Sequence, residues 1–219
     1  MFSPTSLLEQ LEGIPTPVIS DALDDSGING ALPLVRPLSM QQRRSAGYAR
    51  TARFQRLSER PGDVRPGGGV GGPLEAVLQS MQADDFVVID LDAATTAASW
   101  GGLASRIAQG RAVRGTVVYG GCRDAAEIVE LGYGVWSVAT TPRRSRNEFA
   151  LGELGGALQI GRVRIDPGDI IVADDSGVVC VPAQLATKIV ERCEQILRVE
   201  AELTHAIARK DSDLDWDQV

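Results

Sequence analysis

The segment Gly120-Gly121-Cys122-Arg123-Asp124 combines several residue types that can do chemistry. It follows a continuous apolar run and precedes a helical pattern, so it falls where a buried strand meets the start of a helix. Ligands of open α/β sheets bind at the carboxyl ends of the strands. The Asp124 carboxylate is a hard oxygen donor suited to Mg²⁺ or Mn²⁺, and the Arg123 guanidinium can clamp a carboxylate. Two structural roles are equally open: Asp124 as a helix-capping acid and Arg123 as half of a surface ion pair.

A second candidate segment, Ser99-Trp100-Gly101-Gly102-Leu103-Ala104, also lies between a predicted strand and a predicted helix. A Gly-Gly turn that opens a helix presents unpaired N–H groups, which can cradle an anion. Arg123 follows one strand later. We therefore expect the Gly101–Ala104 turn and Arg123 to face one carboxylate-bearing ligand from neighbouring strand ends.

Three weaker candidates have ordinary structural explanations. Cys122 adjoins the first segment, but no histidine base is near it in sequence, which favours packing over a nucleophilic role. His205, the only histidine, falls on the terminal helix with no Ser or Cys motif nearby, which favours a surface or interface position. Asp174-Asp175-Ser176-Gly177 is typical of a hairpin turn.

The order of apolar runs predicts an α/β fold with parallel strands and crossover helices in its middle part. Ser6 is expected to begin a first helix, and Ser20 to cap a second helix that Gly27 closes. The later segment, with its Asp-Pro-Gly break, predicts antiparallel hairpins. The predicted helices are 74–81, 103–113, 123–132 and 183–209; the predicted strands are 45–57, 86–92, 115–121, 135–140 and short hairpin strands within 158–182. The Gly- and Pro-rich stretch 61–73 is expected to be a surface loop, and the acidic tail 211–219 to fray or pack on a neighbour.

Composition narrows the class of protein. The chain has 219 residues, 43% hydrophobic and 23% charged, which fits one folded domain over 1–219 with its core at about 15–209. A net charge of −7 weighs against nucleic-acid binding, and the lack of a long apolar run weighs against a membrane span. Three scattered cysteines and a start without signal-peptide features predict a reducing, cytoplasmic location. Eight arginines crowd the stretch from residue 36 to residue 65. They form either a solvated or intersubunit surface or an anion-binding patch. Their positions are 36, 43, 44, 50, 53, 56, 60 and 65.

Four segments, in order and spacing, resemble the RraA-like family, which includes the class II 4-hydroxy-4-methyl-2-oxoglutarate/4-carboxy-4-hydroxy-2-oxoadipate aldolases. They are Ser20-Asp21-Ala22-Leu23, GTVVYGGCRDAAEI at 115–128, Thr141-Pro142, and DPGDIIVADDSGVVCVP at 166–182. The resemblance implies a compact α/β/β sandwich of mixed sheets with a long C-terminal helix. It also implies a homo-oligomer, a trimer or hexamer, with its active sites at subunit clefts.

The resemblance also implies roles for single residues. In the aldolases an acid precedes an Arg-Asp pair by about twenty residues; the Asp binds Mg²⁺ or Mn²⁺, and the Arg with nearby backbone amides holds a 2-oxo acid. Arg123 and Asp124 match the pair, whereas Gly102 stands in the position of the upstream acid. A further acid comes from the terminal helix of a neighbouring subunit, for which Glu202 is the best match, ahead of Glu200.

These residues predict a metal-dependent carbon–carbon lyase that acts on a small 2-oxo acid, by aldol cleavage or oxaloacetate-type decarboxylation through a pyruvate enolate. Two alternatives stay open. One is a diverged homologue that catalyses another enolate reaction, isomerisation or dehydration. The other is a non-catalytic regulator that binds a protein partner, as the RraA proteins bind RNase E. The Arg123-Asp124 pair favours an enzyme, and Gly102 favours divergence.

Overall fold

The computed structural model describes residues 6–41, 43–57, 72–146 and 148–209. Most of the predicted loop 61–73, the tail 211–219, Arg60 and Arg65 lie outside these residues. The helices are α1 (Leu7–Glu12), α2 (Thr16–Asp24), α3 (Glu75–Ser80), α4 (Gly102–Gly110), α5 (Ala125–Leu131) and α6 (Ala186–Arg209). The strands are β1 (Arg36–Pro37), β2 (Ser45–Arg56), β3 (Asp85–Trp100), β4 (Gly115–Cys122), β5 (Val135–Thr140), β6 (Phe149–Leu154), β7 (Leu158–Ile160), β8 (Val163–Ile165), β9 (Ile170–Ala173) and β10 (Val178–Val181).

One mixed sheet forms the centre of the molecule, in the order β1-β5-β4-β3-β2-β9-β10, with β6 also paired to β2. Strands β2, β3, β4 and β5 run parallel, as their continuous apolar runs predict. Helices α3, α4 and α5 lie in the connections between them. Strands β9 and β10 form an antiparallel hairpin, and β7 and β8 form a separate two-stranded sheet. The carboxyl ends of β3, β4 and β5 therefore share one edge.

Successive side chains of the parallel strands point to opposite faces of the sheet and pack in two hydrophobic cores, one on each face. Val87 and Ile89 of β3 face the helices and pack in one cluster with Ala108 and Ile128. Phe86 and Val88 point to the other face and pack with the β7–β8 hairpin. A third cluster joins α1, α2 and α6 to β9 and β10. The predicted α/β/β arrangement with a long C-terminal helix is thereby confirmed.

The start of α2 corrects the sequence-based prediction. The helix begins at Thr16, and Ser20 lies inside it rather than at its cap. The carboxylate of Asp174 accepts hydrogen bonds from the Thr16 N–H (2.9 Å) and the Thr16 hydroxyl (2.6 Å). An acid 158 residues away in sequence thus satisfies the helix start, which local pattern cannot reveal. Gly27, with φ 73°, does carry the chain out of the helix region.

Strand β3 is longer than predicted, because it continues past residue 92 to Trp100. Asp92 and Ala93 have positive φ angles of 53° and 55°, and the register against β4 shifts three times before Trp100. These irregularities bend the strand without ending its pairing. The result is that Trp100 pairs directly with Cys122 at the end of β4.

The crowded arginines are mostly ion-paired within the chain. Arg50 binds Asp85, and Arg56 binds the buried Glu148. Arg53 lies near Asp90 and Glu153. Together with the pair of Arg44 and Asp174, these contacts give four of the crowded arginines an acidic partner.

Candidate active site

The two candidate segments meet where β3 and β4 end. The Arg123 N–H donates to the Trp100 carbonyl (3.0 Å), which extends the pairing of the strands by one residue. Directly after this contact β3 continues into α4 and β4 into α5. The Gly101–Ala104 turn and the Arg123-Asp124 pair are therefore neighbours, as their positions in the sequence predict.

Asp124 does not cap its own helix, α5. It occupies the N-cap position of α5, but its side chain makes no capping hydrogen bond, and its backbone is left-handed at φ 57° and ψ 35°. The carboxylate instead turns to α4, where Oδ2 accepts a hydrogen bond from the Gly102 N–H (3.1 Å). Non-glycine residues in this conformation concentrate at functional sites.

Arg123 and Asp124 form a half-exposed ion pair. The Arg123 Nε lies 3.3 Å from the Asp124 Oδ2, and the two side chains are 42% and 37% exposed. Their remaining donors and acceptors can therefore reach a ligand. Asp124 is thus not a buried structural charge, and its ion pair with Arg123 does not occupy the whole carboxylate.

The start of α4 is held rigidly on its inner side. The indole of the buried Trp100 donates to the Ser105 hydroxyl (2.9 Å), which in turn donates to the Gly101 carbonyl (3.1 Å). The first backbone bond of the helix runs from the Ser105 N–H to the same carbonyl. The N–H groups of Leu103 and Ala104 precede that bond and have no partner inside the helix. They are fixed donors at the positive end of the helix.

The absence of a side chain at Gly101 brings the pair close to the turn. A Cβ there would lie 2.6 Å from the Asp124 Oδ2 and 3.0 Å from the Arg123 Cγ. Gly121 is equally constrained on the strand side, because a Cβ would lie 2.4 Å from the Ala97 carbonyl oxygen. These two glycines permit the close approach of the two strand ends.

A cleft of about 600 Å³ opens at this edge, and it also contains residues that the sequence analysis did not select. Glu75 lines it from α3, and Arg144 and Arg146 line it from the segment after β5. That segment is fastened to β3: the Ala98 N–H donates to the Arg143 carbonyl (2.7 Å). The sequence does contain a signal that Arg144 and Arg146 lie near the cleft, since they follow β5, the strand that neighbours β4. Their contact with β3 depends on long-range pairing and has no local signal.

Ser99 is a second unselected feature of the cleft. It is 6% exposed and lines the cleft, and its hydroxyl oxygen has no hydrogen-bond partner. Buried hydroxyls are usually paired, so this one is an exception, and its oxygen is covered by protein atoms and not open to the cleft.

Position 102 is covered by a carboxylate of the next helix. A Cβ on Gly102 would lie 2.3 Å from Oε2 of Glu127. The Glu127 carboxylate thus covers Gly102, and it also accepts a hydrogen bond from Arg106 Nε (2.9 Å). A second carboxylate is therefore present beside Asp124, supplied by α5 rather than α4.

The remaining residues selected from the sequence lie outside the cleft or are buried in the core. Burial raises the pKa of Cys122 to about 12, so its thiol is protonated and a poor nucleophile at neutral pH. Asp174 supports the start of α2 and accepts the Ser176 N–H (2.9 Å), in line with a turn role. His205 and Glu202 are both exposed on the C-terminal part of α6, and neither lines the cleft of its own chain.

A second groove, of about 660 Å³, lies at the opposite ends of the parallel strands. Its acids and arginines largely neutralise one another: Arg114 binds Asp84 (2.7 Å) and lies 3.7 Å from Glu12, and Arg44 binds Asp174 (3.3 Å). The carboxyl-end cleft is the better candidate because ligands of open α/β sheets bind at the carboxyl ends of the strands.

The donor set of the cleft fits Mg²⁺ or Mn²⁺. Within the described residues no three His, Cys, Asp or Glu side chains are grouped as a closed metal cage. Mg²⁺ does not need one, since it is commonly held by one or two carboxylates together with water and substrate oxygens. Asp124, which is 37% exposed, supplies one such carboxylate.

Comparison with known proteins gives the family. Residues 16–180 match the model of the RraA-like family, described as Aldolase/RraA. The chain belongs to the RraA-like family. Among the described residues, no helix is long and apolar enough to cross a membrane.

Individual relatives of this RraA-like chain carry different names. It is 30% identical over 203 residues to protein DlpA of Legionella pneumophila, covering 93% of this chain but 32% of that protein. It is 31% identical over 106 residues to the 4-hydroxy-4-methyl-2-oxoglutarate aldolase of Thermus thermophilus, covering 48% of this chain and 64% of that protein. The chain thus spans a third of the length of DlpA and less than two thirds of the aldolase.

Among solved structures, the fold is similar to Streptomyces coelicolor RraAS2, described as an unusual member of the RNase ES inhibitor RraA family. The TM-score is 0.77 at 28% identity, covering 93% of this chain and 96% of that chain. The names of relatives therefore include an aldolase and an inhibitor of an RNase.

Proposed function

We propose that this protein is a metal-dependent carbon–carbon lyase that acts on a small 2-oxo acid, by aldol cleavage or by decarboxylation of an oxaloacetate-type substrate. The observation that carries the proposal is the Arg123-Asp124 pair fastened to the open start of α4 in one cleft. Two contacts fix the position of the Asp124 carboxylate. The Gly102 N–H donates to it (3.1 Å), and the Arg123 Nε lies 3.3 Å from it. The name of the Thermus relative supports the same reaction class.

The substrate carboxylate binds between Arg123 and the start of α4. The guanidinium offers paired donors, and the N–H groups of Leu103 and Ala104 offer further donors at a helix start. Gly101 adds no side chain between Arg123 and the start of the helix, whereas the Glu127 carboxylate covers Gly102. Leu103, 53% exposed, supplies an apolar contact beside the substrate.

Asp124 would hold Mg²⁺ or Mn²⁺, with the 2-oxo acid completing the coordination. When bound, the metal stabilises the negative charge that develops on the 2-oxo oxygen. Asp124 is suited to this task because the Gly102 N–H and Arg123 both contact its Oδ2, while its other oxygen has no hydrogen bond with the described residues.

The chemistry is the same for both substrate types. In aldol cleavage the proton of the C4 hydroxyl passes to water, the C4 oxygen becomes the carbonyl of the second product as the C3–C4 bond breaks, and the electron pair of that bond forms the enolate of pyruvate. In decarboxylation the C3–C4 bond breaks with release of carbon dioxide and gives the same enolate. Arg123 stabilises the charge as it develops, and a proton added to C3 yields pyruvate. Isomerisation or dehydration through an enolate would use the same groups and is the related alternative.

The active unit is proposed to be a homo-oligomer, a trimer or a hexamer. The buried residues of α6 all lie in its first half, up to Cys193, and residues 194–209 include none. Ile207 is 58% exposed. An exposed amphipathic helix end that carries Ile207 is suited to packing on a second copy, where Glu202 would approach the neighbouring cleft as a further metal ligand.

The second candidate is a non-catalytic regulator that binds a protein partner. It is favoured by glycine at position 102, where the aldolases have an acid, and by the structural similarity to RraAS2. The two candidates differ in one measurable property, because only the enzyme turns over a 2-oxo acid.

The test is release of pyruvate from oxaloacetate and from 4-hydroxy-4-methyl-2-oxoglutarate, with Mn²⁺ and with EDTA. A blank with Mn²⁺ and no protein removes the reaction of the free metal. We expect release with Mn²⁺, its loss with EDTA, and a fall of at least ~100-fold in kcat/KM for Asp124→Asn. Asp175→Asn, an exposed acid on a remote turn, is the matched control and retains native activity. No release above the blank by the native protein would contradict the lyase and favour the regulator, whereas equal release by the native protein and Asp124→Asn would contradict the role of Asp124.

A further inference from the structure

The cleft at the carboxyl ends of the strands has an apolar wall, of which the proposed reaction uses only Leu103. Four large apolar side chains line it: Leu74 and Leu78 on the α3 side, and Leu103 and Ile107 on α4. Within each pair the spacing is four residues, which places both side chains on one face of a helix. Leu74 precedes α3 but has right-handed helical angles, φ −82° and ψ −14°, so the same face includes it. Both helices therefore present an apolar face to one cleft.

This wall is an open continuation of the hydrophobic core. Leu74, Leu78 and Ile107 are half-buried and pack against the core cluster that lies between the sheet and the helices. Leu103 is more than half exposed. Covering apolar side chains that are partly in water lowers the free energy, so the wall favours an apolar ligand group.

The charged groups of the cleft come mainly from other elements. Arg123 and Asp124 follow β4, Arg144 and Arg146 follow β5, and Glu75 is the one charged residue among the described lining residues of α3 and α4. A ligand in the cleft therefore meets charge on the strand side and apolar surface on the helix side. Sites for small molecules have this composition, since a few polar groups orient the ligand and apolar side chains cover the rest of it.

The apolar wall begins next to the place proposed for the substrate carboxylate. The free N–H groups of Leu103 and Ala104 would hold that carboxylate, and Ile107 lies about 6 Å further along the axis of the same helix. The cleft has a volume of about 600 Å³, within the range of ~300–1,000 Å³ that is typical for drug-sized ligands. A molecule as small as oxaloacetate leaves much of this volume unfilled.

We propose that the 2-oxo acid of this site carries an aliphatic chain beyond C4, and that the chain lies against Leu74, Leu78, Leu103 and Ile107. The inference rests on the proposed function, since the head of the acid is the one bound by Arg123 and the start of α4. The second product of cleavage is then an apolar aldehyde or ketone. As the C3–C4 bond breaks, its electron pair forms the enolate of pyruvate, the proton of the C4 hydroxyl passes to water, and the C4 oxygen becomes the carbonyl of that product.

The test is calorimetric titration of the full chain with a series of straight-chain acids: 2-oxobutanoate, 2-oxohexanoate and 2-oxooctanoate. These acids lack a C4 hydroxyl and are not cleaved, so the titration measures binding without turnover. Each methylene that is buried should tighten binding about fourfold, so 2-oxohexanoate should bind at least about 10-fold more tightly than 2-oxobutanoate.

Variants of the wall should flatten this series. Leu78→Asn and Leu103→Asn each place an amide in the wall, and the gain for each methylene should fall below about twofold. Because Leu103 is more than half exposed, Leu103→Asn tests the wall even if Leu78→Asn fails to fold. Leu154→Asn is the matched control: Leu154 is 38% exposed on β6, outside the cleft, and its variant should give the native series.

The outcomes separate this inference from the proposed function. A flat series in the native protein would overturn the inference, and pyruvate release by the same protein would leave the lyase standing. A gain that is absent in the native protein and present in Ile207→Asp would also overturn it, because α6 of a second copy would then cover the wall. A native gain that Leu103→Asn removes, without any pyruvate release, would contradict the lyase and retain the wall as the site of an aliphatic chain.

Discussion

Adding one methyl group at Gly101 should disable the site without unfolding the protein. Gly101 has extended backbone angles, φ −168° and ψ −171°, which alanine also adopts. The new Cβ would lie 2.6 Å from the Asp124 Oδ2, so the carboxylate has to retreat by about 0.8 Å to reach ordinary van der Waals contact. That displacement breaks the bond that Asp124 accepts from the Gly102 N–H.

The size of the effect follows from that bond. A hydrogen bond to a charged group contributes about 1.5–3 kcal/mol, which corresponds to a factor of about 10–100 in a rate or binding constant. We therefore expect Gly101→Ala to lower kcat/KM for pyruvate release by about that factor and to weaken Mn²⁺ binding. Stability should change little, because the displaced side chains are partly exposed and can move into the cleft.

The assay is pyruvate release coupled to NADH oxidation by lactate dehydrogenase, with thermal unfolding measured in parallel. Gly110→Ala is the matched control: it adds a methyl group at the other end of α4, where no atom lies within 4 Å. Its activity should equal that of the native protein. Native kcat/KM and native Mn²⁺ affinity in Gly101→Ala would refute the argument that Asp124 must contact the start of α4.

Two further predictions concern stability and assembly. Burial raises the pKa of Asp174, but hydrogen bonds from Thr16, Ser176 and Arg44 outweigh it and hold the pKa below 3.8. The stabilisation by Asp174 is therefore complete at neutral pH and is lost as pH falls through the lowered pKa. Asp174→Asn should lower the free energy of unfolding in denaturant by ~1–3 kcal/mol at pH 7, and this difference should shrink below pH 3.8. Equal stability of the two proteins at pH 7 would contradict this reasoning. For assembly, light scattering should give a trimer or a hexamer, and Ile207→Asp should shift it to smaller species; a native monomer at micromolar concentration would contradict the proposed role of α6.

The sequence predicts the parts of the fold that depend on local pattern. The apolar runs at 115–121 and 135–140 form β4 and β5 because a strand buried on both faces needs apolar residues throughout. The order of strands and helices then places Arg123 near Gly101. No homologous structure is needed for that step, since parallel strands end at one edge.

The parts of the fold and of the site that the sequence does not predict depend on contacts between residues distant in sequence. The continuation of β3 through Asp92 and Ala93 has no pattern of its own, because the bend is imposed by pairing with β4. Arg144 enters the cleft only because its segment pairs with Ala98. Glu127 has no local signal either, because its position over Gly102 depends on how α4 and α5 pack.

The most direct test is a crystal structure of the protein with Mn²⁺ and oxalate, an analogue of the pyruvate enolate. An anomalous peak should show Mn²⁺ bound to the Asp124 carboxylate, with oxalate held by Arg123 and by the N–H groups of Leu103 and Ala104. Oxalate bound elsewhere, or Mn²⁺ bound away from Asp124, would contradict the assignment of this cleft as the active site.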